Sequence, residues 1–293
     1  MPSVAVLGPG GVGGFVAAAL ARARVNVVVV AREPAATALS LTGVTVRSAA
    51  LGNFVAHPGV VAELEEAVDV LLVATKATGL EGALDQINAP PGLVVPLLNG
   101  VEHLAVMRER LGRDRVVAGV IRIESDRPRP GEIVQTSPGC RIDIAGARPE
   151  VMELAQALEG AGIATRTGAT EANVMWSKLV RLCALALTTS AADRPLGFVR
   201  SDPRWRSALD NAVAETARVA AAEGATLEPA ATIAELESAH AELGSSMQRD
   251  IAAGREPELD AIAGAVLRAG ARHGIRCPTI SWLTERVAQR AGL

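Results

Sequence analysis

The chain has 293 residues, 49% of them hydrophobic and 21% charged, with a formal net charge of -3; this globular balance excludes a disordered chain and gives length for about two domains. With no tyrosine, three phenylalanines and no excess of basic residues, it lacks both the field and the stacking surfaces of a nucleic-acid or anionic-membrane binder. Cys140, Cys183 and Cys277 are odd in number and widely spaced. That excludes a disulfide framework and a thiolate zinc site and suits a reducing compartment, the cytoplasm.

The N-terminus has no basic region ahead of its apolar stretch, and that stretch runs directly into glycines, so it reads as a first strand and not as a signal peptide. No apolar run approaches the roughly 20 residues of a membrane helix. Val4 to Leu7 predicts the strand, Gly8-Pro9-Gly10-Gly11-Val12-Gly13-Gly14 a turn, Val12 to Ala23 a helix and Val25 to Ala31 a second strand. Gly8, Gly10 and Gly13 form GxGxxG in the strand–turn–helix context that binds a dinucleotide. Gly8 serves the tight turn, Gly10 the approach of backbone to a pyrophosphate, and Gly13 the packing of helix on strand. The anion then rests on the helix N-terminus. Arg32 follows the second strand where NAD sites place a carboxylate, and a guanidinium there forks onto a 2′-phosphate, which favours NADP. Glu33 is the competing signal, since a shift of one residue would bring an acid to the ribose.

Val68 to Thr75 predicts a buried strand that delivers Lys76, and Leu93 to Leu98 another that delivers Asn99 and Gly100. Both polar residues leave the carboxyl ends of strands, where open parallel sheets bind ligands. A helix over Val101 to Leu111 follows. Val116 to Ile144 reads as shorter strands with a Pro130-Gly131 turn that close the sheet, and Glu150 to Gly160 and the segment to Arg166 as its last elements. After Gly168 the pattern becomes Ala-rich helices: Glu171 to Leu187, Pro203 to Glu223, Pro229 to Glu242, Glu258 to His273 and Ile280 to Arg290. The expected fold is α/β, a Rossmann-type dinucleotide-binding domain over 1–168 followed by an all-α domain over 169–293, with substrate and cofactor meeting in the cleft between them.

Of 29 basic residues only Lys76 and Lys178 are lysine. Arginine does not usefully release its proton, whereas lysine can, which makes these two the candidate proton carriers. His57, His103, His240 and His273 match no metal spacing and read as surface or loop residues; no metal is expected. No GxSxG elbow or Walker loop is present. Cys183 reads as a packing residue, Glu215 as solvated or capping, and Trp176, Trp205 and Trp282 as core or domain-contact anchors. Arg108 to Arg115 reads as a solvated helix end.

Taken in order, these motifs resemble the ketopantoate reductases (2-dehydropantoate 2-reductases) over nearly the whole chain. They are Gly8-Pro9-Gly10-Gly11-Val12-Gly13, Arg32, Ala74-Thr75-Lys76, Leu97-Leu98-Asn99-Gly100-Val101, Trp176-Ser177-Lys178-Leu179, and Ser245-Ser246-Met247 through Asp250, Gly254, Arg255, Glu258 and Asp260. The resemblance implies that Gly8 to Gly13 and Arg32 hold NADPH, with Lys76 and Asn99 near the nicotinamide. It implies that Asn99 and Ser246 bind a small 2-oxo acid, that Glu258 reaches the cofactor, and that Lys178 protonates the carbonyl oxygen as hydride arrives. It further implies ketopantoate as substrate, a step of pantothenate biosynthesis, and a homodimer through the helical domain. The chemistry agrees, because hydride attack on a 2-oxo carbon develops an alkoxide that needs a proton and positive charge nearby.

The chain departs from that family where Asn commonly follows the catalytic lysine: it has Leu182 and Ala186 at four and eight residues on, and Leu196 near a third such position. Thr188, Thr189 and Arg181 are the polar residues available to replace the lost amides. A different, more apolar 2-oxo acid, another carbonyl or imine, or a non-catalytic NADP(H)-binding regulator are the alternatives this leaves.

Overall fold

The computed structural model describes residues 1–293. The chain divides into two compact units, one of Met1–Leu98 with His103–Val174, the other of Asn99–Glu102 with Met175–Leu293.

The first unit is built on four-residue apolar runs. β1 (Val4–Leu7), α1 (Gly11–Arg22), β2 (Val27–Val30), α2 (Ala35–Thr42), the hairpin β3 (Val44–Ser48) and β4 (Gly52–Ala56), and β5 (Gly59–Val61) come first. β6 (Val70–Val73), α3 (Leu80–Leu84), β7 (Leu93–Pro96) and α4 (His103–Leu111) follow. The central parallel sheet has the order β5-β2-β1-β6-β7. β1, β6 and β7 are buried along their whole length, as a parallel sheet covered on both faces requires. The strand order reverses between β1 and β6, the position at which such sheets bind ligands outside their carboxyl ends.

β8 (Gly119–Arg122), β9 (Ser125–Arg129), β10 (Glu132–Gln135), β11 (Arg141–Ala145), α5 (Pro149–Gly160) and β12 (Ala164–Ala169) complete this unit. Contrary to expectation, the strands between Val116 and Ile144 do not close the parallel sheet. β9 and β10 join the β3–β4 hairpin in a separate sheet, β4-β3-β10-β9, and β8 and β11 form a third sheet with β12. Only a single parallel bridge, Val94 with Val116, links this region to the edge strand β7. The strands pair by alternation: Ile121, Ile142 and Ile144 enter the core, while Arg122 and Arg141 share the other face with Asp143.

The second unit comprises α6 (Glu171–Ala192), α7 (Leu196–Ser201), α8 (Pro203–Ala222), α9 (Pro229–Ser238), α10 (Ser246–Ala252), α11 (Ala265–Arg272) and α12 (Pro278–Ala291), with a π-helical turn over Asp260–Gly264 ahead of α11. The starts are legible chemistry. Pro opens α8, α9 and α12, and the Asp202 carboxylate caps α8 by accepting from Arg204 and Trp205 N–H; proline costs nothing where the N–H has no helical partner. α9 ends at Ser238, short of the expected Glu242, because Ala241 and Leu243 turn back to accept backbone hydrogen bonds from Gly197 and Leu196. The units part within α6, after Val174, and not at Gly168. Glu171 in its first turn pairs through both carboxylate oxygens with Arg108 of α4. Arg108 is therefore not part of a solvated helix end.

Candidate active site

The glycine turn between β1 and α1 is tight on its inside and open on its outside. Gly8 has φ +95°, and a Cβ on it would meet Thr75 Cγ2 at 2.9 Å. A Cβ on Gly13 would run into the Gly8 carbonyl oxygen. At Gly10, by contrast, a Cβ would find nothing within 4 Å. α1 begins without a side-chain cap and without an acid in its first turn, so the N–H groups that no helical carbonyl can reach face no resident anion. This cradle has the open face and unpaired N–H groups that suit a pyrophosphate, and Gly10 leaves that face clear. The remaining glycines also make room for neighbours. Gly11 lies under Ser125, whose hydroxyl donates to the Gly11 carbonyl at 2.8 Å, and Gly14 lies against Ile133. Pro9 and Val12 are half-buried beside them.

Arg32 stands two residues beyond β2, exposed, and its guanidinium makes no ion pair or hydrogen bond within the chain. Glu33 is turned away to α2, where its carboxylate accepts from the Thr37 N–H at 3.3 Å and hydroxyl at 2.7 Å. Lys76 is exposed at the carboxyl end of β6, on the strand next to β1 and one residue past the Thr75 that touches the turn.

In the second unit, α6 buries most of its circumference, including Trp176, Leu179, Val180 and Cys183. Ser177, Lys178, Arg181 and Leu182 form its half-buried stripe, as residues three and four apart must. The Arg181 guanidinium pairs with Glu235 of α9 at 2.8 Å. Thr188 and Thr189 are fully buried, and their hydroxyls donate back to Ala184 and Leu185 carbonyls at 2.7 Å. None of the three therefore replaces a lost amide. Ala186 and Leu196 are core residues with no exposure, which leaves Leu182 as the apolar residue on the Lys178 stripe.

Ser246 opens α10, half-buried, and its hydroxyl makes no hydrogen bond within the chain. The preceding Ser245 is the cap: its hydroxyl accepts from the Gln248 N–H at 3.1 Å and lies 3.1 Å from the Thr189 hydroxyl of α6. Asn99 and Glu258 come together, the Asn99 amide donating to a Glu258 carboxylate oxygen at 2.8 Å. Glu258 is 9% exposed, and Asn99 keeps a second N–H and a carbonyl oxygen with which to meet a ligand.

Of the other residues, His103 departs from its sequence reading, while Glu215 caps and Cys183 packs as expected. His103 is buried at the start of α4 with Leu104 and Met107, not at the surface. Glu215 is 5% exposed and accepts the Thr279 and Ile280 N–H groups at 3.0 Å, capping α12 from a neighbouring helix. Burial pushes the Cys183 thiol up to about 12, so it packs and does not attack. Trp205 and Trp282 are half-buried with ring centroids 5.8 Å apart. No three His, Cys, Asp or Glu side chains converge as a metal site would require, and no helix is long and apolar enough to cross a membrane. A cavity of about 490 Å³ lined by Met1, Val25 and Glu153 lies at the amino end of β1, away from the glycine turn.

The chain matches two family descriptions, Ketopantoate reductase PanE/ApbA over residues 4–145 and Ketopantoate reductase PanE/ApbA C terminal over residues 172–291. It is 32% identical over 287 residues to the 2-dehydropantoate 2-reductase of Caulobacter vibrioides, covering 95% of each chain. Its structure resembles that of 2-dehydropantoate 2-reductase from Geobacter metallireducens, with TM-score 0.90, 25% identity and 98% and 99% of the two chains covered. It also shares its fold with D-mandelate dehydrogenase solved with NADH and anilino(oxo)acetate, at TM-score 0.89 and 21% identity over 99% and 98% of the chains.

Proposed function

Because the chain belongs to the ketopantoate reductase family, whose members are dinucleotide-dependent oxidoreductases acting on a CH–OH group, we propose that it reduces a small 2-oxo acid, ketopantoate first, to the 2-hydroxy acid with NADPH. The observation that carries this reading is Lys178, one of two lysines in the chain, set on the half-buried stripe of α6. The glycine cradle and Arg32 would hold NADPH, with Lys76, Asn99 and Glu258 toward its nicotinamide end. When bound, NADPH supplies the hydride for the carbonyl carbon. Lys178 gives its Nζ proton to the carbonyl oxygen as the π pair moves there, and takes one back from solvent afterwards. The Ser246 hydroxyl and the free N–H of Asn99 hold the substrate's polar groups. The product is then the pantoate half of pantothenate, made in the cytoplasm by an enzyme that acts as a homodimer.

NADPH oxidation with ketopantoate, against a panel of other 2-oxo acids, tests the reading; binding of NADPH with no turnover of any of them would make the chain a nucleotide-binding regulator. Cofactor choice has its own test. Arg32→Ala is expected to raise the Kd for NADPH about tenfold or more, the worth of a charge-assisted pair, while NADH binding stays put. Equal losses for both nucleotides would place the 2′-phosphate elsewhere.

Leu182 favours a second reading, in which the substrate is a 2-oxo acid with a hydrocarbon side chain. A hydroxyl brought against Leu182 loses its water and gains no partner, a cost of about 1 kcal/mol or more. On this reading 3-methyl-2-oxobutanoate, which lacks ketopantoate's hydroxymethyl group, is turned over with the higher kcat/KM, and Leu182→Asn narrows the gap about fivefold. A preference for ketopantoate that Leu182→Asn leaves unchanged would reject it.

A further inference from the structure

We infer that Arg268 is a positioning residue that locks Asn99 and Glu258 into one body. This rests on the roles proposed above for those two residues. After β7 the chain spends four residues, Asn99–Glu102, in the second unit. Glu102, at the end of that strap, receives a two-pronged contact from Arg268, Nε to Oε1 at 2.9 Å and Nη2 to Oε2 at 2.7 Å. The same guanidinium reaches the other way to Asp260, Nη1 to Oδ1 at 2.7 Å and Nη2 to Oδ2 at 3.0 Å. Glu102 lies three residues from Asn99 and Asp260 two residues from Glu258. One planar cation therefore joins the two segments just beyond the Asn99–Glu258 hydrogen bond.

The local backbone is shaped for this contact. Gly100 has φ +84° and lies so close to Ala261 that a Cβ would run into the Ala261 carbonyl oxygen. Gly264 leaves the room in which Asp260 and Arg268 meet, since a Cβ there would strike Asp260 Oδ1 and come within 3.0 Å of Arg268 Nη1. In a regular α-helix a residue eight positions on is rotated about 80° off the face of the first. The π-helical turn over Asp260–Gly264 absorbs one extra residue and brings Arg268 back under Asp260.

Magnitude separates positioning from stability. The ion-pair side chains are 42–82% exposed, and exposed pairs add little to folding. Geometry is another matter, because without Arg268 the two carboxylates face each other uncompensated and push the strap from the Asp260 turn. Asn99 and Glu258 then lose their fixed separation.

The test is a double-mutant cycle on NADPH binding, read by the fluorescence of the bound nucleotide, across wild type, Asn99→Ala, Arg268→Gln and the double variant. Arg268→Gln is expected to raise the Kd about fivefold, with the double variant no weaker than Asn99→Ala alone, since one residue acts through the other. Hydrogen exchange of the peptide over residues 98–103 should quicken in Arg268→Gln with the thermal midpoint nearly unchanged, and Arg268→Lys should recover part of the affinity. If Arg268→Gln folds poorly, Glu102→Gln removes the same link from the other side and should show the same non-additivity with Asn99→Ala. Wild-type affinity in Arg268→Gln, losses that multiply in the double variant, or no effect of Asn99→Ala would each overturn the inference. A protein that binds NADPH but reduces no 2-oxo acid fails the proposed function, and the binding and exchange readouts still decide the role of Arg268.

Discussion

Gly13→Ala should lower the thermal unfolding midpoint of the nucleotide-free protein, while Gly10→Ala leaves it within about 2 °C of wild type and weakens NADPH binding tenfold or more. The two substitutions add the same methyl group three residues apart, so the contrast isolates what each glycine does. At Gly13 the methyl meets the carbonyl oxygen of Gly8, a backbone atom that cannot swing aside. α1 must move off β1, at a cost of about 1–3 kcal/mol or more. At Gly10 the methyl enters open space on an ordinary backbone, φ -75° and ψ -170°, so folding loses at most about 1 kcal/mol as the helix-capping residue changes. What it loses is the surface over which the pyrophosphate passes. NADPH affinity unchanged in Gly10→Ala would remove the pyrophosphate from that position, and an unchanged midpoint in Gly13→Ala would mean that helix and strand do not pack as closely as Gly13 and Gly8 indicate.

This contrast also marks how far the sequence could be read. Gly8, Gly10 and Gly13 have local duties, a turn, an open face and a helix start, and those are legible from spacing and flanking apolar runs. Gly11 has a further duty that spacing does not show, because the residue it makes room for, Ser125, lies 114 positions away. The same distance problem hid the Asn99–Glu258 bond, 159 positions apart, and which helix Glu215 caps, since pattern alone cannot distinguish a buried capping acid from a solvated one. β9 is a strand of Ser, Asp, Arg, Pro and Arg, and no propensity would draw it there; it is held by pairing with β10. On α6 the helical period sets position 182 beside 178, but eight residues on, at 186, the helix has already turned by about 80°, and period says nothing of what the neighbours cover. They cover Ala186 and stop short of Leu182. That tertiary fact reduces three apparent departures from the family to one residue beside Lys178.

Lys178→Ala should cut kcat by about 10²–10⁴, the usual worth of a positioned general acid, and leave NADPH affinity and the thermal midpoint near wild type. Lys178→Arg is the sharper experiment. Arginine keeps the positive charge that steadies a developing alkoxide, and its long side chain suits the half-buried stripe that already holds Arg181. It cannot usefully release a proton at neutral pH. If proton donation is the function of Lys178, Lys178→Arg stays within about tenfold of Lys178→Ala, and added primary amines restore part of the rate to the alanine variant only. If charge is the function, the arginine variant returns most of the activity and amines add nothing to it. The composition of the chain already leans one way: in a protein where 27 of 29 basic residues are arginine, a lysine retained on this stripe is most simply explained by chemistry that arginine cannot perform. An arginine variant with nearly full kcat would reverse that argument and leave hydride transfer to be completed by a proton from elsewhere.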